Sequence, residues 1–134
     1  MRVVLDTNVL VSGLLNPHGS PGRIVDALLA SQVRPLFDDR ILREYREILP
    51  RPKFGFDIED VEHFLDYLET EGEPVVAIPL DLSLPDPDDI PFLEVASAGR
   101  ADALVTGNEA HFRPSRGSHK VKVITPPEFL AELK

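Results

Sequence analysis

Short apolar runs, each stopping at a polar turn and separated by helix-like stretches, limit most strongly what this chain can fold into. Arg2-Val3-Val4-Leu5-Asp6 is the first of them, three consecutive apolar residues bounded by Asp6-Thr7-Asn8. A run of this kind reads as a short buried strand. Four more are expected at Arg34-Pro35-Leu36-Phe37, Val75-Val76-Ala77-Ile78, Ala103-Leu104-Val105-Thr106 and Val121-Lys122-Val123-Ile124.

The stretches between them carry helix signals. Val9, Leu10 and Leu14 mark a short helix that ends at Asn16-Pro17-His18-Gly19. Ser20 reads as an N-cap, with Pro21 at the first position of a helix carrying Ile24, Val25, Leu28 and Leu29. Asp38 or Asp39 caps the next one. Its apolar stripe is Ile41, Tyr45, Ile48 and Leu49, and Pro50 stops it. Asp57 followed by Asp60 resembles a capping box opening a helix through Val61, Phe64, Leu65 and Leu68, which ends near Gly72. Asp89 to Ala98 is a further helix with Gly99 as its C-terminal cap, and Thr125-Pro126-Pro127-Glu128 opens the last. Strands alternating with helices imply the α/β class, a parallel sheet with helices on both faces. The chain has 134 residues, so the expectation is one domain over 1–134. In such folds a ligand sits outside the carboxyl ends of the strands, near a switch in strand order.

The net charge of −9 argues against a polyanion partner, but it conceals a segregation. Between Lys53 and Arg100 there is no lysine or arginine, while 13 of the 23 acids fall there. The remainder holds the other ten acids and all 14 basic residues, an excess of four positive charges. One part can therefore supply ligands for a cation while the other meets phosphate. Much of Asp57 to Glu73 also reads simply as a solvated helix face. The absence of cysteine excludes disulfides, thiolate metal sites and cysteine nucleophiles. With no apolar run of about eighteen residues and no signal-peptide pattern, the expectation is a soluble cytoplasmic protein.

Several acids fall where strands end. Asp6 closes the first strand, as a metal ligand or as a helix cap. Glu44 lies about 60° from Ile41 on a helical wheel, at the edge of the apolar stripe, while Arg43 and Arg46 point away. It can be drawn into a cleft or can pair with Arg40 one turn earlier. Asp86-Pro87-Asp88-Asp89 holds three aspartates in four residues. One cap does not require so many, and a divalent cation would relieve their repulsion. Thr106-Gly107-Asn108-Glu109 follows the fourth strand with further oxygen donors, although as a turn it needs no function. An all-oxygen set with no histidine at ligand spacing favours Mg²⁺ or Mn²⁺ over zinc. No glycine-rich phosphate loop and no serine-nucleophile elbow is present.

Leu5-Asp6-Thr7-Asn8-Val9-Leu10, Glu44-Tyr45 before Arg51-Pro52-Lys53-Phe54, Asp86-Pro87-Asp88-Asp89 with Phe92-Leu93, and Ala101-Asp102-Ala103-Leu104-Val105-Thr106-Gly107-Asn108 together resemble the PIN-domain nucleases. The resemblance is to the toxin branch of toxin–antitoxin pairs, the VapC-like proteins, and runs from Met1 to about Pro127. It implies a three-layer α/β/α sandwich and metal-dependent cleavage of single-stranded RNA by one or two Mg²⁺ or Mn²⁺ ions. Asp6, Glu44 and Asp89 match the first three family acids, with Asp86 as a helper. The fourth position holds Asn108, a departure that removes one negative charge and that Glu109 could replace. Thr7, Asn8 and Thr106 would orient water or phosphate. Arg43 and Arg46, with Arg40, Arg51, Lys53, Arg113, Arg116, Lys120 and Lys122, are candidates for backbone contacts. The implied partners are RNA and a cognate antitoxin protein, and the expected assembly is a homodimer or higher homo-oligomer. Two rivals remain. One is a PIN-like domain with an incomplete metal site that only binds RNA or protein. The other is a response-regulator-type domain, which needs an aspartate after the third strand and a lysine after the fifth; Pro79-Leu80-Asp81 and Val123-Ile124-Thr125 supply no such pair.

Overall fold

The computed structural model describes residues 1–115 and 119–133. Strand β1 (Arg2–Leu5) occupies the middle of a five-stranded, wholly parallel sheet. On one side lie β2 (Arg34–Phe37) and then β3 (Glu73–Pro74); on the other, β4 (Ala103–Val105) and then β5 (Val123–Ile124). Val3, Val4 and Leu5 pair with Ala103, Leu104 and Val105, and all six are buried. Continuous apolar strands of this kind need cover on both faces, which completes the α/β/α arrangement expected above. The order runs outward from β1 in both directions, so the switch in strand order falls between β1 and β4. That crevice is where such folds leave room for a ligand.

Helices α3 (Asp39–Ile48), α4 (Ile58–Glu71) and α5 (Ile90–Ala98) pack together over β1, β2 and β4. Tyr45 of α3 meets Phe92 of α5 with ring centroids 6.3 Å apart. Helices α1 (Thr7–Leu15), α2 (Ser20–Leu29) and α6 (Pro126–Glu132) form a second group, with α6 reaching β4. Helices α1 and α2 approach closely: a Cβ on Gly13 would stand 2.8 Å from the Pro21 carbonyl oxygen, so only glycine fits.

The capping signals mostly hold. Asp38 accepts from the Ile41 amide, Asp57 from the Asp60 amide, and Thr125 with Glu128 closes a full capping box. One does not: Ser20 is already helical, and Gly19, with no side chain to accept a bond, holds the N-cap of α2. At the end of α5, Gly99 holds the C-cap as expected with right-handed backbone (φ −82°), and Arg100 takes the left-handed turn after it (φ 52°). The Ala101 amide then reaches back to the Ala96 carbonyl, closing the helix end without glycine in the strained position.

The third strand is displaced. Pairing with β2 runs through Leu36–Glu73 and Phe37–Pro74 and is finished by the Val75 amide on the Phe37 carbonyl. Beyond Phe37 the second strand turns into α3, so Val76 to Ile78 has nothing left to pair with. Val75 and Ala77 pack against the core, whereas Val76 is 92% and Ile78 67% exposed. The fifth strand is likewise shorter than expected, although Lys122 still accepts from the Leu104 amide.

Candidate functional site

Asp6 follows β1 directly, and its amide donates to the carbonyl of Val105 in β4, which holds it over the crevice. Asp6 is 7% exposed and stands at the N-cap of α1 without a side-chain capping hydrogen bond. Instead, Thr106 Oγ1 donates to Asp6 Oδ2 at 2.7 Å from across the switch point. Asn8 Nδ2 donates to the same oxygen at 3.3 Å, while Asn8 Oδ1 accepts from the Gly107 amide at 3.3 Å. The turns after β1 and β4 are thereby knitted together.

Glu44 comes from α3, half-buried, and accepts a hydrogen bond from Thr7 Oγ1. The pairing with Arg40 does not form. Arg40 turns to Asp38 and to Glu94, leaving Glu44 facing the crevice. Tyr45, the next residue, donates from its hydroxyl to the Leu5 carbonyl at 2.5 Å and anchors α3 to the end of β1. Burial, then the charges of Asp6 and Glu44, hold the Tyr45 hydroxyl well above its ordinary pKa, so it remains a donor.

The 3₁₀ turn Pro87–Asp89 brings the third contribution. Asp86 caps it by accepting from the Asp88 amide at 2.9 Å, a structural task for that member of the cluster. Asp89 is different. Its Oδ2 is buried without a hydrogen-bond partner, and His111 Nδ1 stands 3.5 Å away.

The electrostatics bind these groups into one site. Burial raises the carboxyl pKa of Asp6 against the opposing bond from Thr106. Burial raises Glu44 as well, and Asp6, Asp88 and Asp86 push in the same direction. In Asp89, burial followed by the charges of Asp6 and Asp86 lifts the pKa to about 6. Acids that disturb one another in this way share a pocket, and such perturbation is typical of functional sites. The positive influence on both Asp6 and Asp89 is His111, in the 3₁₀ helix Glu109–Ser115. Sequence reasoning assigned no role to this histidine. Its amide bonds the Asn108 carbonyl, so continuing the turn by one helical step past Asn108 would have located it.

Among the described residues no three Asp, Glu or His side chains form a ready-made cation cluster. The chemistry nevertheless fits a hard divalent cation. The donors are oxygens, one buried carboxylate oxygen lacks a partner, and the acids repel one another. Asn108 is exposed; its amide donates to Thr106 Oγ1 at 3.0 Å, one bond removed from Asp6.

Of the basic candidates, Arg46 pairs with Glu69 at 2.7 Å, Lys122 with Glu132 at 2.6 Å, and Arg40 as described. Arg43 is exposed and, among the described residues, forms no ion pair. Lys53 lies over the Phe54 ring, and Arg116 lies outside the described residues. No helix among the described residues is long and apolar enough to cross a membrane.

The sequence matches the PIN-domain family over residues 2–110. It is 29% identical over 145 aligned residues to the uncharacterized protein MJ1680 of Methanocaldococcus jannaschii, covering 100% of this chain and 92% of that relative. The fold is similar to one in the crystal structure of VapBC2 from Rickettsia felis bound to a DNA fragment from their promoter. There the TM-score is 0.56 at 18% identity, covering 93% of this chain and 98% of that one. Since the family match takes in β1 through the turn after β4, and with it every acid of the crevice, the chain belongs to the PIN-domain family, whose members are generally nucleases.

Proposed function

We propose that this protein is a Mg²⁺- or Mn²⁺-dependent ribonuclease acting on single-stranded RNA, as the toxin of a toxin–antitoxin pair held in check by a cognate antitoxin protein. Residues 1–134 act as one catalytic domain. The observation that supports this most is the buried Asp89 Oδ2, which has no hydrogen-bond partner, only His111 Nδ1 at 3.5 Å, and faces the charges of Asp6, Asp86 and Glu44. Repulsion of this kind destabilises a fold unless a cation relieves it in the working protein.

Asp6, Glu44 and Asp89 would hold the cation, with Asp86 setting the turn that presents Asp89. A bound divalent cation supplies activation of water and charge stabilisation at the phosphorus. Thr106 and Asn8 keep Asp6 aimed into the crevice, and Thr7 does the same for Glu44. Arg43 is the basic residue of α3 left available for phosphate; Arg46 would have to release Glu69 first.

Asn108 supports a second reading, a PIN domain that binds RNA without cutting it, because the position matching the fourth family acid carries no charge. Titration of Mn²⁺ against cleavage of single-stranded RNA separates the two. Cleavage by the parent that is lost in Asp6→Asn is the expected result. RNA binding without cleavage at millimolar Mn²⁺ would establish the second reading.

A further inference from the structure

Among the described residues, Glu94 is the one buried acid that lies outside the crevice, 5% exposed in the middle of α5. Both of its oxygens are engaged by donors. Arg40 Nη1 donates to Oε1 at 2.7 Å, and the Leu80 amide donates to Oε2 at 2.7 Å. Arg40 in turn holds Asp38 Oδ2 from Nε at 2.9 Å, and Asp38 is the residue that caps α3.

A single carboxylate therefore joins three pieces of chain. One is the first turn of α3, which carries Glu44 one turn further on. The second is α5, whose N-terminus follows Asp89. The third is Leu80, where the irregular segment leading to Asp86 begins. Residues 75–86 form no strand or helix, so apart from the packing of Val75, Ala77, Leu80, Leu82 and Leu84 on the core, the Glu94 bond to the Leu80 amide is what ties this segment to α5.

We propose that Glu94 is a positioning residue for the crevice, setting the separation between Glu44 and the Asp86–Asp89 turn through Arg40 and the Leu80 amide. The proposal rests on the metal-dependent reading above and concerns how closely the acids are held, without contact between Glu94 and cation or substrate. Substitution of groups that orient metal ligands costs about 10- to 100-fold in metal affinity.

Glu94→Gln is the informative variant. Glu94 faces two donors, and an amide presents one acceptor and one donor, so Gln keeps one bond and opposes the other. The expected result is about a tenfold weaker Mn²⁺ affinity by calorimetry, with the Mn²⁺ needed for half-maximal RNA cleavage raised in parallel. The rate at saturating Mn²⁺ should be largely restored. Arg40→Ala should give a similar weakening, and the double variant little more, because both act through one link.

Val61→Ala, in the core of α4, is the control for lost stability and should leave Mn²⁺ affinity unchanged. If Glu94→Gln binds Mn²⁺ as tightly as the parent, or no more weakly than Val61→Ala, Glu94 is only structural and the proposal is wrong. If Asp6→Asn also binds Mn²⁺ like the parent, the crevice is not the metal site, and both this inference and the reading beneath it fall.

Discussion

The two ends of the same sheet treat charge in opposite ways. At the amino ends of the strands, each acid has a donor. Arg2 grips Glu73 with Nε at 3.1 Å and Nη2 at 2.5 Å, and Arg34 adds a third contact at 3.5 Å. Asp102 accepts from the Arg2 amide at 2.8 Å, and Arg2 also reaches the Arg100 carbonyl. At the carboxyl ends, burial raises the carboxyl pKa values of Asp6, Glu44 and Asp89, with Asp6, Asp86 and Asp88 pushing Glu44 further up and Asp6, Asp86 and Glu44 doing the same to Asp89. Matched charge at one end contributes modestly to stability. Unmatched charge at the other costs stability, and a fold retains such strain where a ligand uses it.

The largest expected effect comes from removing the most buried crevice acid. Asp6→Asn should reduce RNA cleavage by about 100-fold or more, since losing a ligand exceeds the loss from disturbing a supporting group. It should also abolish the rise in thermal midpoint expected when Mn²⁺ is added to the parent. A retained midpoint shift would mean that the cation binds elsewhere.

Asp89 sharpens the contrast through pH. Its carboxyl titrates near 6 in the folded protein against an ordinary 3.8, so folding favours the protonated form. The stability linked to this group is complete below about pH 3.8 and is lost as pH rises through about 6. Asp89→Asn should therefore stabilise the metal-free protein near neutral pH by about 1 kcal/mol after solvent screening, or about 3–5 °C in midpoint. Metal-free melts between acidic and neutral pH check this: the parent should lose stability relative to the variant as pH rises. Parallel curves would show that Asp89 is not under repulsion. Adding Mn²⁺ near neutral pH should reverse the ranking.

Asn108→Asp adds one negative charge beside Thr106. If that turn contributes to cation binding, half-maximal cleavage should need about fivefold less Mn²⁺, since ligand charge count tunes divalent affinity. An unchanged requirement in both Asn108→Asp and Glu109→Ala would place this turn outside the site.

The smallest effect belongs to the matched end. Arg2→Ala should cost about 0.5–1 kcal/mol at low salt, because its pairs are partly exposed. The loss should shrink at about 0.5 M salt, while Mn²⁺-dependent cleavage stays as in the parent. Altered cleavage would couple the two ends of the sheet and break the comparison.

Most of the elements were legible because their causes are local. Val3-Val4-Leu5 and Ala103-Leu104-Val105 are apolar on consecutive residues, which suits strands buried on both faces. Asp38, Asp57 and Thr125 cap helices through bonds to amides three residues on, a distance the chain itself sets. The third strand was misplaced for the opposite reason. Val75 to Ile78 has strand-forming residues, but whether they pair depends on how far β2 extends, and β2 stops at Phe37. Gly99 caps α5 as expected, but the left-handed turn falls on Arg100, and the demand for glycine comes from elsewhere. A Cβ on Gly99 would stand 3.0 Å from Val75 Cγ2 and 3.2 Å from Leu36 Cδ1, contacts between residues distant in sequence.

The same division runs through the site. Acids after strands, and Glu44 at the edge of an apolar stripe, followed from the sequence because strand ends and helix faces are periodic features. Which acids lack a partner did not. Arg40 is one turn from Glu44 yet pairs with Glu94, 54 residues away, and His111 reaches Asp89 from beyond the fourth strand. Periodicity determines which face a residue occupies. Only the packing of α3, α5 and the turns after β1 and β4 decides whether the charge it meets there is opposite or alike.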